Sequence, residues 1–156
     1  MPVTRKTFIM SGAAAAVAMP LMPTLSHAEG LPFRAVKIGN LHDLKVGQPV
    51  TFQYPDTQTP AYLVKLGTPA IGGVGPQQDV VAFTGLCTHM GCPVAFKEGR
   101  FICPCHFSQF DPAKNGEVYQ GLAVEYLPQI TLHVVAGTND IVAEAIEGVI
   151  WGRVSD

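Results

Sequence analysis

Charged side chains are scarce in this chain. They make up 14% of its 156 residues against 47% apolar, which excludes a disordered segment and leaves enough apolar material for one domain with a hydrophobic core. Positive charge is scarcer still. Arg5 and Lys6 are two of the 10 basic residues and the first 28 positions hold no acid, so residues 29–156 carry 8 basic against 12 acidic side chains, net −4. Such a surface offers no basic stripe to a nucleic acid, and none is expected as a partner. A phosphate cradle is missing as well, because the glycine-rich stretch Gly72-Gly73-Val74-Gly75-Pro76 precedes no Lys-Ser/Thr pair and opens no helix. Nothing resembles a Ser-His-Asp set or a pair of hydrolytic carboxylates, so no catalytic residue is assigned. Cysteine is absent everywhere except residues 87–105, where all four occur.

A long uninterrupted apolar run is lacking too. The apolar, alanine-rich stretch 10–22 is short for a membrane span and is broken by Pro20. It follows Thr4-Arg5-Lys6-Thr7-Phe8-Ile9, and Ser26-His27-Ala28 places small residues where a signal peptidase reads. This layout is expected to be an export signal, residues 1–28, cleaved after Ala28. An uncleaved membrane anchor is the alternative. The basic pair before Phe8 resembles a twin-arginine signal, with Lys6 in place of the second arginine. That resemblance implies export in the folded state, with any cofactor already assembled, to an oxidising periplasm where a disulfide persists.

From Pro32 onward, Pro and Gly punctuate short runs rich in Val, Ile, Phe, Tyr and Thr, which is the rhythm of an all-β domain over residues 29–156. Strands are expected at 33–38, 49–54, 61–66, 79–84, 94–97, 100–103, 117–119, 129–135, 141–145 and 149–152, with no long helix. Glu98-Gly99 is expected to close a hairpin, and Gly137-Thr138-Asn139-Asp140 another.

The first of these hairpins carries the chemistry. Residues 87–107 read CTHMGCPVAFKEGRFICPCHF, in two similar halves: Cys87-Thr88-His89 with Cys92, and Cys103-Pro104-Cys105-His106. A strand-turn-strand of this length returns the chain so that the halves face each other, and each can donate one thiolate and one imidazole. A two-iron centre with thiolates on one metal and imidazoles on the other uses this set, and its neutral imidazoles raise the reduction potential. Two Cys and two His also suit tetrahedral zinc, although a C2H2 finger groups its histidines after both cysteines along a helix. A framework of four disulfide-forming cysteines is the third possibility, and it leaves His89 and His106 unexplained.

The segments CTHMGC and CPCHFSQFD resemble the cluster-binding boxes of Rieske proteins, in the disulfide-bearing form familiar from cytochrome bc complexes. The resemblance implies one 2Fe-2S cluster held by Cys87, His89, Cys103 and His106, with Cys92 and Cys105 joined as a disulfide beside it. It implies stacked antiparallel sheets with the cluster loops at one end. Gly121-Leu122-Ala123 and Leu127-Pro128 resemble the family's third loop, which covers the cluster, with Leu122 and Val124 where prolines are common; Gly121 and Ala123 are thereby cover residues. Ser108 matches a serine that donates to the cluster sulfurs. Phe110 stands in the place of a tyrosine donor, which implies a potential below that of respiratory relatives.

Across residues 30–156 the chain is similar to the Rieske small subunit of arsenite oxidase, at Asp43-Leu44-Lys45-Val46-Gly47, Tyr54-Pro55-Asp56, Cys105-His106-Phe107-Ser108, Leu127-Pro128-Gln129 and Ile150-Trp151-Gly152-Arg153. Iodate reductases use a similar subunit. This likeness implies an electron-transfer subunit paired with a large catalytic subunit bearing molybdenum and an iron-sulfur cluster, and exchanging electrons with a soluble cytochrome c or copper protein. A Rieske protein of a quinol-oxidising complex and a cytoplasmic Rieske ferredoxin are the alternatives. The remaining residues read as structural: Met90 and Phe107 as apolar cover, Asp111 as a turn or cap residue, His42 and His133 as satisfied histidines, and Tyr126 and Trp151 as core or edge packing, with a partner surface as their alternative.

Overall fold

A computed structural model describes residues 33–151. The expected export signal and its expected cleavage site, and Gly152 at the end of the last expected strand, lie outside the described residues.

Among the described residues, ten strands form two antiparallel sheets. In chain order they are β1 (Val36–Asn40), β2 (Val50–Gln53), β3 (Pro60–Lys65), β4 (Val80–Thr84), β5 (Ala95–Lys97), β6 (Arg100–Ile102), β7 (Gln109–Asp111), β8 (Glu117–Gln120), β9 (Gln129–Val134) and β10 (Asp140–Glu147). The larger sheet has the order β1-β10-β9-β4-β3-β2 and the smaller the order β5-β6-β7-β8. The only helices among the described residues are two 3-10 turns, Leu41–Asp43 and Pro112–Lys114. The all-β expectation therefore holds, with stacked antiparallel sheets.

All five residues of β4 are buried, and their alternation explains how the layers stack. Val80 and Ala82 enter a core shared with Leu63, Ile130, Leu132 and Ile141, while Val81 and Phe83 point the other way into a second core with Phe101, Phe110 and Leu127. A strand covered on both faces reads as a continuous apolar run, as VVAFT does. The second core also contains Cys87 and Cys103.

Each cluster-region loop leaves a strand end at the same side of the molecule. The first joins β4 to β5, the second joins β6 to β7, and the third joins β8 to β9. The turn between β5 and β6 works as expected: Lys97 pairs with Arg100 while Glu98 (φ 50°) and Gly99 (φ 78°) both take the positive φ that a two-residue hairpin requires.

Three expectations need correction. Strand β7 was not foreseen, because Gln109-Phe110-Asp111 has one apolar residue and carries no alternating signal. It forms because Phe110 pairs with Phe101 and Val118 and plugs the second core. No strand forms over 149–151: pairing with β9 ends at Glu147–Gln129, Gly148 turns away at φ 105°, and Val149 and Ile150 find no strand partner. The first strand lies later than expected, because Gly39 and Asn40 pair with Ile141 and Asp140.

Candidate metal centre

The two cysteine-histidine loops are built on one backbone frame. In the first, Gly91 N–H donates to the Cys87 carbonyl (2.8 Å) and Cys87 N–H to the Cys92 carbonyl (2.9 Å). In the second, Phe107 N–H donates to the Cys103 carbonyl (3.0 Å) and Cys103 N–H to the Ser108 carbonyl (2.8 Å). The equivalent residues Gly91 and Phe107 both take positive φ, 72° and 58°. Each frame tucks its first cysteine inward and lifts the rest of the loop toward solvent.

Cys87 and Cys103 are accordingly buried, 1% exposed each, and carry free thiols close enough to hydrogen-bond each other. Burial pushes the Cys87 thiol up. The His89 backbone N–H opposes that shift, the neighbouring Cys103 adds to it, and the Ser108 hydroxyl again opposes it. A metal held here would take Cys87 as the thiolate, in competition with its proton.

His89 and His106 meet at the surface with their Nδ1 atoms 3.2 Å apart and their rings 87° to one another. Two imidazoles bound tetrahedrally to one metal at about 2.0–2.1 Å would place their nitrogens about 3.3 Å apart. The observed spacing fits shared ligation through the two Nδ1 atoms. Paired inner thiols below and paired outer nitrogens above match the donor set of a mixed-ligand two-iron centre.

Cys92 and Cys105 form a disulfide, S–S 2.08 Å. The Sγ atoms of Cys92, Cys103 and Cys105 lie within 4.8 Å of one another, but the bonded pair has no thiolate to give, so Cys103 alone of the three remains a ligand donor. The four-cysteine framework is ruled out by the free Cys87 and Cys103.

Two further ties complete the site. Ser108, fully buried, accepts hydrogen bonds at Oγ from the N–H groups of Leu122 (3.1 Å) and Ala123 (3.0 Å), leaving its own proton for the Cys87 sulfur. Thr88 Oγ1 donates to the Glu125 carbonyl, 2.7 Å. The disulfide joins the first and second loops, Ser108 the second and third, and Thr88 the first and third. A Cβ on Gly121 would lie 2.3 Å from the Ser108 Cα, and its φ is 96°, so only glycine lets the third loop approach this closely.

Among the expected cover residues, Ala123 is buried, whereas Gly121, against Ser108, and Met90 (59% exposed) and Phe107 (67%), each next to a histidine in the chain, lie at the surface. Phe110 is fully buried beside the cysteines. Asp111 caps the second 3-10 turn, accepting from Ala113 N–H at 2.9 Å, and His42 and His133 find partners in Asn139 and Glu144, all as expected. Tyr126 and Trp151 are half exposed near His89, at the edge rather than in the core, and the Trp151 indole packs against Gly91. Thr88 was missed.

The sequence model of the Rieske [2Fe-2S] domain matches residues 34–131. The chain belongs to the Rieske family. Its cofactor is thus a 2Fe-2S cluster, and zinc falls away. The iodate reductase subunit IdrB of Denitromonas iodatirespirans is 42% identical over 98% of this Rieske chain and 86% of its own, and IdrB of Pseudomonas sp. (strain SCT) is 36% identical over 96% and 82%. Among solved structures, the soluble domain of Rieske protein II (soxF) from Sulfolobus acidocaldarius shares the fold, with a TM-score of 0.70 over 80% of this chain and 84% of that one at 24% identity.

Proposed function

We propose that this Rieske chain is the electron-transfer subunit of an oxyanion-transforming molybdenum oxidoreductase of the iodate reductase kind. Cys87 and Cys103 would hold one iron, and His89 and His106 the other. When bound, the cluster supplies a one-electron couple close to the surface. The chain's own residues bury the thiolate side, direct the Ser108 proton at a cysteine sulfur, and present the two imidazole edges to a redox partner. The observation that carries this reading is similarity to two iodate reductase subunits over almost the whole chain rather than over the cluster boxes alone. The catalytic chemistry belongs to a large molybdenum-bearing subunit, with a soluble cytochrome c or copper protein as the other redox partner and the periplasm as the site of action.

Arsenite oxidase is the second reading, favoured by the resemblance at Tyr54-Pro55-Asp56 and Ile150-Trp151-Gly152-Arg153. The two differ in the direction of electron flow, which one experiment separates. The complex is isolated from exported protein, and its Rieske spectrum is followed. Iodate restoring the oxidised spectrum of the reduced complex supports the first reading; arsenite bleaching the oxidised complex supports the second. Response to neither, with reduction by a quinol, overturns both.

A further inference from the structure

Beside His89 the surface opens into a cleft of about 620 Å³. Three separate pieces of chain line it: Thr88 and His89 of the first loop, Leu122 and Val124 to Tyr126 of the third, and the end of β10 at Glu147 with Gly148, Val149 and Trp151 after it. The lining is apolar and unusually bare. Val124 and Val149 are each 85% exposed, Leu122 58%, Tyr126 50% and Trp151 48%. Apolar groups so concentrated on one face of a soluble domain mark a surface that another molecule covers.

The cleft is built into the metal centre. A Cβ on Gly91 would fall 2.3 Å from Trp151 Cδ1, so the indole packs directly on the backbone of the first loop. Thr88, which ties the first loop to the third, lies within the same wall. His89 lines the cleft and His106 does not.

Its charges are one-sided. Glu125 and Glu147 are the only ionised groups of fixed charge lining it, and no lysine or arginine does so among the described residues. An apolar centre with charge held at the margin is the pattern of a lasting subunit contact, whereas brief redox encounters are smaller and more polar. Two carboxylates without a cation call for lysine or arginine on the molecule that docks.

We infer that this cleft seats an apolar segment, flanked by basic side chains, of the molybdenum-bearing catalytic subunit, and so holds that subunit against the His89 side of the metal centre. The inference rests on the proposed function above and names the surface that this function uses.

The test uses the full-length chain, affinity-tagged and expressed in its own host, with molybdenum and iron measured in the eluate and paramagnetic resonance reporting the cluster. Wild-type protein and Val46→Glu, an exposed substitution at the opposite end of the larger sheet, should retain molybdenum. Val124→Glu and Val149→Glu should keep the cluster signal and lose molybdenum at least tenfold. Should either variant disturb the cluster signal, Glu147→Lys, exposed and outside the cluster loops, decides, and it must also lose molybdenum. Molybdenum retained by the cleft variants at the wild-type ratio overturns the cleft alone. Wild-type protein that elutes without molybdenum overturns the partner reading, and the cleft with it.

Discussion

Ser108 shows how much one buried hydroxyl can do at such a site. Both of its acceptor positions are taken by backbone N–H groups of the third loop, so its single proton has one direction left, toward Cys87. Ser108→Ala strands the buried Ala123 donor and the part-buried Leu122 donor, and removes one donor from the cluster. It should cost about 1–3 kcal/mol of stability and lower the midpoint potential, read by thermal unfolding and voltammetry; an unchanged potential would show that the hydroxyl does not address the cluster. Phe110 offers the converse test. Its ring is fully buried in the core that holds both free cysteines, but it has no donor. In Phe110→Tyr, a hydroxyl that favours the reduced state by about 1 kcal/mol should raise a one-electron potential by about 40 mV. A shift of zero or downward places the ring elsewhere in function.

At the scale of elements, three loops are held by three different bonds, and the weakest point is where backbone meets backbone. Gly121→Ala puts a methyl against the Ser108 main chain at a positive φ, so the third loop should lift and the visible absorbance of the cluster should bleach faster in air; an unaltered rate would mean that this loop shields nothing. Much of this was legible beforehand. Glu98-Gly99 announces its hairpin because both positions tolerate positive φ, and the paired Cys-His boxes point to their cofactor through their resemblance to Rieske boxes, since the same two Cys and two His also suit zinc. The link from Thr88 to Glu125 was not legible, since a threonine reaching a carbonyl 37 residues away leaves no local pattern. Nor was the fate of 149–151. Val149 and Ile150 look like strand residues, but past Gly148 neither has a strand partner among the described residues, so Val149 becomes a wall of the cleft and Ile150 is buried instead.

Over the whole molecule, stability and redox function occupy opposite ends of the larger sheet. Far from the cluster loops, Asp140 bonds Lys37 at 2.8 Å and Asn40 at 2.9 Å, and the Lys37 contact chiefly holds its carboxyl below the usual carboxylate range. A carboxyl with a depressed folded-state pKa stabilises the fold above its unfolded value, and that contribution is lost as pH falls through the folded value. Asp140→Asn should therefore melt slightly lower than wild type at neutral pH, and the two should converge in acid, with the same cluster signal throughout. Identical melting at neutral pH would remove Asp140 from the account. No helix among the described residues is long and apolar enough to cross a membrane.

The central claim is that one iron is bound by sulfur alone and the other by two imidazoles. Paramagnetic resonance of the dithionite-reduced protein tests it most directly. Ligation by Cys87, Cys103, His89 and His106 predicts a rhombic signal whose average g value lies well below that of a four-thiolate 2Fe-2S protein, and which His106→Cys shifts or abolishes. A four-thiolate average, or a signal indifferent to that substitution, would contradict it.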